Sequence, residues 1–289
     1  MPEIEPLRAA IFGGSFDPVH EGHLEVARRA QEAFQLERVL FIPAAQPPHK
    51  QGRELAEPHL RLAATLIATA LEPSWEVLAI ELAREGLSYT YDTLLEVPEH
   101  LKFRLVTKKE GGIAKRKRDL ELFLILGSDN LPGLPGWHKA EDVLALAQPI
   151  VVWRGDPTDG GATPESLVAS LEGRLSPKAV ERLRQGLITL PPFEMSSTDI
   201  RAALGQGILP ENAMHPEVLE FLLEQGMYGW PEDAHNPFVP VPEPKDEEEI
   251  EDDEDDGFVD FEEDEEADEE PSERAASPGP GPEPGNQRS

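Results

Sequence analysis

The chain has 289 residues, with 57 Asp and Glu against 26 Lys and Arg, a formal net charge of −31, and no cysteine. That charge argues against a nucleic-acid partner, no run of 18 apolar residues offers a membrane span, and no disulfide can form. Met1-Pro2-Glu3-Ile4-Glu5 lacks the basic and apolar regions of a signal peptide, so the expected location is the cytoplasm.

Strand and helix patterns then alternate. Leu7 to Phe12 is an apolar run that reads as a short buried strand. Leu24 to Phe34 carries an apolar stripe at Leu24, Ala27, Ala30 and Phe34, the spacing of a helix. Arg38 to Pro43 reads as a second strand, Leu60 to Ala70 as a helix, Trp75 to Leu82 as a third strand, and Thr90 to Leu95 as the start of another helix. Lys108 to Arg118 is basic and interrupts the alternation. It reads as a solvated insertion loop, with a phosphate or partner contact as the other reading. Leu122 to Leu126, Ile150 to Trp153 and Leu187 to Leu190 supply three more apolar strands. Continuous apolar strands alternating with helices imply an α/β fold: a Rossmann-like, doubly wound parallel sheet with helices on both faces. Ligands of such sheets bind beyond the carboxyl ends of the strands.

Composition divides the chain. Residues 232–289 hold 24 of the acids and three of the bases, a net of −21, which leaves −10 on residues 1–231. Asp246 to Glu270 is almost continuous acid, and Ser277-Pro278-Gly279-Pro280-Gly281-Pro282 follows. Such a segment cannot bury enough apolar surface to offset its ordering entropy. The expected organisation is a catalytic domain over 1–231 and a disordered acidic tail over 232–289. Phe258, Val259 and Phe261 interrupt the acids, but no partner for the tail can be named from them.

The most informative segment is Gly13-Gly14-Ser15-Phe16-Asp17-Pro18-Val19-His20-Glu21-Gly22-His23, between the first strand and the first helix. Glycines there let backbone N–H groups approach an anion, and two histidines three apart at a helix entrance can face the same anion. A His pair is also half of a zinc site, but no Cys and no second ligand pair accompany it. The segment is neither a P-loop nor a G-x-G-x-x-G fingerprint. A second motif, Met195-Ser196-Ser197-Thr198-Asp199-Ile200-Arg201, joins a strand to a helix. Ser196 or Ser197 suits the N-cap, the helix N-terminus suits an anion, Thr198 adds a hydroxyl, and Arg201 adds a planar fork suited to phosphate.

Gly13 to His23 resembles, at all eleven positions, the G-G-[ST]-F-D-P-x-H-x-G-H signature of the HxGH nucleotidyltransferases, and Met195 to Arg201 resembles their I-S-S-T-x-I-R element with Met for Ile. Four further segments resemble the bacterial nicotinate-nucleotide adenylyltransferases: Pro43 to Lys50 (P-x-x-x-P-P-H-K), Glu81 to Leu94 (E-[LI]-x-R-x-G-x-S-Y-T-x-D-T-L), Gly127-Ser128-Asp129 (G-x-D), and Trp137 with His138 beside it. The likeness spans about residues 7 to 229.

The resemblance implies adenylyl transfer from ATP, carried by Mg2+, to the 5′-phosphate of nicotinate mononucleotide. His20 and His23 are then catalytic. Gly13, Gly14, Ser15, Phe16, Ser197, Thr198, Arg201 and Asp129 bind ATP, and Lys50, Thr90 and Trp137 bind the acceptor. No protein ligand set for a metal is expected. The alternatives are nicotinamide mononucleotide or phosphopantetheine as acceptor, or a nucleotide-binding regulator that signals through the acidic tail. Trp153 reads as core.

Overall fold

A computed structural model describes residues 5–45, 55–102, 106–108, 115–153, 163–191, 196–231 and 234–239. The chain divides into two units, Met1–Pro240 and Val241–Ser289. The second lies outside the described residues, as do Lys50, Met195 and the centre of the basic segment.

In the first unit the elements are β1 (Leu7–Gly14), α1 (Glu21–Ala33), β2 (Arg38–Pro43), α2 (Pro58–Thr69), β3 (Trp75–Val77) and α3 (Thr90–Leu101). There follow β4 (Val106–Lys108), β5 (Lys115–Lys117), β6 (Leu120–Gly127), a 3-10 run over Ser128–Gly136, α4 (Ala140–Leu146) and β7 (Gln148–Trp153). The last are α5 (Pro164–Ala169), α6 (Pro177–Gln185), β8 (Leu187–Thr189), α7 (Ser197–Leu204), α8 (Pro216–Glu224) and a 3-10 turn over Met227–Gly229.

Six strands form one parallel sheet in the order β3-β2-β1-β6-β7-β8. The apolar runs are continuous because both faces are covered. Ala10, Phe12, Val39, Phe41, Phe123 and Ile125 belong to the core on one face, while Ala9, Ile11, Leu40, Ile42, Leu124 and Leu126 belong to the core on the other. Side chains of a strand alternate between faces, so a strand buried on both must be apolar throughout.

Strand order grows outward in both directions from the β1–β6 pair, which makes this pair the switch point of a doubly wound sheet, where a crevice opens beyond the strand ends. Gly13 and Gly14 end β1 and Gly127 ends β6, so both glycine motifs meet at that crevice.

Three sequence expectations need correction. The third strand stops at Val77 rather than Leu82, since Ile80 and Glu81 turn inward to line the core and the crevice. The basic insertion is not simply a loop: β4 and β5 pair antiparallel, Val106 opposite Lys117. Arg118 leaves that hairpin to donate to the carbonyls of Glu5 and Pro6 and to pair with Glu37, so it anchors the chain before β6. α1 begins at Glu21, three residues before its apolar stripe, because His20 caps it.

Phe238 packs against the core. Removing residues 241–289 is therefore expected to leave the thermal midpoint and kcat nearly unchanged, since the excised sequence is too acidic to build a core. Moving the cut back to remove Phe238 as well should lower the midpoint measurably. A large loss of midpoint or turnover on removing 241–289 alone would contradict this.

Candidate active site

The switch-point crevice has a volume of about 890 Å3. Gly13, Gly14, Ser15 and Phe16 line it from the end of β1, His20 and His23 from the start of α1, and Ser196, Ser197, Thr198 and Arg201 from the start of α7. Asp129 and Asn130 line it after β6, and Glu81, Ser88, Thr90 and Thr93 line it from the segment before and within α3. Trp137 completes the wall, and Trp153, though buried in the core as expected, also contributes to it. Every site residue read from the sequence lies here except Lys50, which is outside the described residues.

The turn after β1 has a definite local cause. Phe16 adopts φ of +44°, left-handed backbone that costs a bulky residue about 1–3 kcal/mol. Packing outweighs that cost: its ring is buried and meets Phe12, Phe41 and His23 with centroids 5.6, 5.7 and 5.1 Å away. The ring lies over Gly14, where a Cβ would stand 3.0 Å from it, so a side chain at residue 14 would require the buried Phe16 ring to give by a few tenths of an ångström. A Cβ on Gly13 would meet nothing within 4 Å, which leaves bare backbone at the crevice wall.

His20 and His23 form a capping box. The Gly22 N–H donates to His20 Nδ1 at 3.1 Å, and the His20 N–H donates to His23 Nδ1 at 3.3 Å. Both Nδ1 atoms thus act as acceptors, which places each ring proton on Nε2. The rings lie 3.9 Å apart, centroid to centroid, at the positive end of α1. The backbone thus holds each ring by its Nδ1.

α7 is docked onto the same turn. Ser196 caps it, paired with Asp199. Ser197 donates to the Pro18 carbonyl at 3.2 Å, and Arg201 donates to the Asp17 carbonyl at 2.6 Å and reaches Asp17 Oδ2 at 3.6 Å and Thr198 Oγ1 at 3.2 Å. Beneath the turn lies Arg61, which is 1% exposed and donates to the Ser15 carbonyl at 2.6 Å. Burial pulls its pKa down and Asp17 opposes that shift. Two guanidinium groups against the one buried carboxylate of Asp17 leave net positive charge under the turn.

The sequence reading gave no role to Asp17, Arg61 or Tyr228, whose phenol donates to Asp17 Oδ1 at 3.0 Å. A charge inside the apolar pattern Leu60-Arg61-Leu62 was the available signal for Arg61. Tyr228, 211 residues from Asp17, offered none.

A smaller cavity of about 440 Å3 adjoins the crevice and shares Ser88, Thr90, Asp129, Asn130 and Trp137 with it. Tyr89, Gly133, Gly136 and His138 complete it, and the Tyr89 and His138 rings lie 4.7 Å apart. The Pro/Gly-rich stretch before Trp137 forms the 3-10 run that turns this indole into the cavity. A Cβ on Gly127 would stand 2.2 Å from Asp129 Oδ1, so a side chain there would displace the Asp129 carboxylate from its present place. At the crevice floor Glu81 accepts from the Thr93 hydroxyl at 2.8 Å. Burial pushes its carboxyl above the usual range, opposed by the Thr93 hydrogen bond and by Arg84.

Among the described residues no group of three or more His, Asp or Glu is placed to hold a metal ion. The crevice does offer the exposed carboxylate of Asp129, whereas Asp17 Oδ2, though without a hydrogen bond, is already ion-paired with Arg201 at 3.6 Å. Magnesium brought by a nucleotide needs only one or two carboxylates besides phosphate oxygens and water. Asp129 fits such an ion, and the described residues do not fit a resident metal cage. No helix among the described residues is long and apolar enough to cross a membrane.

The chain is similar to proteins already known. A cytidylyltransferase-like family model matches residues 11–203. A relative from Dehalococcoides mccartyi, named "Probable nicotinate-nucleotide adenylyltransferase", is 34% identical over 77% of this chain and 97% of its own length. Relatives of the same name from Roseiflexus sp. and Halorhodospira halophila are 36% and 35% identical over 75% and 79% of this chain, and over 96% and 99% of their own lengths. A nicotinic acid mononucleotide adenylyltransferase from Plasmodium falciparum, solved in complex with APC, shares the fold with a TM-score of 0.54 at 17% identity, covering 78% of this chain and 98% of that one. The chain belongs to the nicotinate-nucleotide adenylyltransferase family of cytidylyltransferase-like proteins.

Proposed function

We propose that this protein transfers the adenylyl group of ATP to the 5′-phosphate of nicotinate mononucleotide, giving nicotinate adenine dinucleotide and pyrophosphate. The observation that carries the reading is the meeting of two compartments at one switch point. One is a crevice with two Nε2–H donors, a helix N-terminus and net positive charge. The other is an aromatic cavity that shares its wall.

The acceptor's phosphate oxygen attacks the α-phosphorus in line, the α–β bridging P–O bond breaks, and pyrophosphate leaves. The attacking oxygen is already anionic at neutral pH, so no residue has to take a proton. Catalysis is positioning and charge stabilisation. His20 and His23 donate from Nε2 to the reacting phosphate oxygens. The Gly13–Phe16 backbone lies alongside them. Ser197, Thr198 and Arg201 hold the phosphates that leave, and Asp129 accepts from the adenosine side. Trp137 stacks on the pyridine ring, Thr90 faces its carboxylate, and Lys50 meets a phosphate. Mg2+ would come with ATP, with Asp129 as the exposed carboxylate able to hold it, and it would neutralise charge on the triphosphate. ATP and nicotinate mononucleotide are thus the small-molecule partners, the site of action is the cytoplasm, and of the acidic segment 232–289 the part from 241 on is an appendage to the catalytic domain, since Phe238 belongs to the core.

The test is pyrophosphate release with ATP and each of nicotinate mononucleotide, nicotinamide mononucleotide and phosphopantetheine. The expected order places the nicotinate acceptor first by at least about tenfold in kcat/KM, because donors arranged for a carboxylate are left unpaired by an amide. Equal kcat/KM for the two pyridine mononucleotides would refute the assignment of Thr90 and Trp137, and a phosphopantetheine preference would refute the acceptor altogether.

A further inference from the structure

The 3-10 turn Met227–Gly229 reaches the phosphate crevice from the far end of the first unit. Tyr228 does not line the crevice, yet its phenol donates to Asp17 Oδ1 at 3.0 Å, and the Ala56 N–H donates to the same oxygen at 3.2 Å. Asp17 is 4% exposed, so its carboxylate depends on these donors and on the arginines. Tyr228 sits at φ of +60°, left-handed backbone that a bulky residue keeps only when its surroundings hold it there.

α7 presses directly on that backbone: a Cβ on Gly205, just after α7, would stand 3.1 Å from the Tyr228 carbonyl oxygen. The same helix carries Arg201, which Asp17 holds through its carbonyl at 2.6 Å and its carboxylate at 3.6 Å. A continuous set of contacts therefore runs from the phenol, through one buried carboxylate, to the guanidinium in the crevice. A side chain that only filled space at this point would need no hydroxyl.

We propose that Tyr228 is a positioning residue for the triphosphate half of the site: its hydroxyl orients the Asp17 carboxylate, and Asp17 sets Arg201. The inference rests on reading the crevice as an ATP site and is independent of the acceptor.

The experiment uses the full chain and Y228F, which keeps the ring and removes the hydroxyl. Binding of ATP with Mg2+, without acceptor, is followed by the fluorescence of the crevice tryptophans Trp137 and Trp153. Y228F is expected to bind ATP about tenfold more weakly and to lose the same factor in kcat/KM for ATP. Its KM for nicotinate mononucleotide should stay within about twofold of the wild type. Because the hydroxyl acts through Asp17 on Arg201, the losses of Y228F and R201A should not multiply in the double variant.

Unchanged ATP binding in Y228F, even with a lowered thermal midpoint, would reduce Tyr228 to a core residue and overturn the proposal, as would multiplying losses. Wild-type chain that binds ATP but fails to turn over nicotinate mononucleotide would refute the acceptor while leaving this inference to stand or fall on the binding data. Wild-type chain that binds no ATP contradicts both.

Discussion

His20→Asn and His23→Gln are each expected to lower kcat by about 100-fold or more while the fold stays intact, the scale for losing one donor aimed at transition-state charge. The choice of substitutes matters because each ring has two jobs. Its Nδ1 closes the capping box at the head of α1, and its ring lines the crevice. Alanine would remove both and add about 1 kcal/mol of lost capping to the chemical defect. Asn at the N-cap and Gln at the third helical position both preserve acceptors that the box tolerates, so the remaining loss reports on the imidazole and its Nε2 rather than on the cap. The check is steady-state kcat for pyrophosphate release beside a thermal midpoint within a few degrees of the parent. Near-normal turnover in either variant would remove that histidine from the reaction.

Arg201→Ala should cost at least about 100-fold in kcat/KM for ATP. Its guanidinium is one of two set against the single carboxylate of Asp17. Without it, Asp17 and Arg61 balance, and the net positive charge under the turn disappears where phosphates are to be held. Charge-assisted donors in a partly buried site are worth more than neutral ones. Arg201→Lys should recover only part of the loss, because a single ammonium cannot reach the Asp17 carbonyl and Thr198 together as the fork does. The measurement is kcat/KM for ATP across the wild type and both variants, with nicotinate mononucleotide saturating. An alanine variant within about threefold of the wild type would detach Arg201 from phosphate binding.

The sheet was legible because its signal is local. A stretch of strand buried on both faces has to be apolar at every position, and residues 9–12 of β1, 39–42 of β2, 122–126 of β6 and 150–153 of β7 are. The phosphate turn was legible for a similar reason: its glycines, histidines and the Ser-Ser-Thr cap sit within two short segments whose geometry follows from the residues themselves. Where apolar character continued past the end of pairing, as from Leu78 to Leu82, pattern alone carried the strand too far. The β4–β5 pairing involves charged residues that show no alternation a sheet face would impose. The charge network under the turn was hidden because its members come from four places in the chain. Asp17, Arg61, Arg201 and Tyr228 meet only after the sheet has formed and α2, α7 and the last 3-10 turn have packed on it.

The most direct test of the account is product analysis after incubating the full-length protein with Mg2+, nicotinate mononucleotide and ATP labelled at the α-phosphate. The expected result is one labelled nicotinate adenine dinucleotide per pyrophosphate released, with no release when the mononucleotide is omitted. Label left in AMP, release of orthophosphate, or pyrophosphate formed without the acceptor would contradict it.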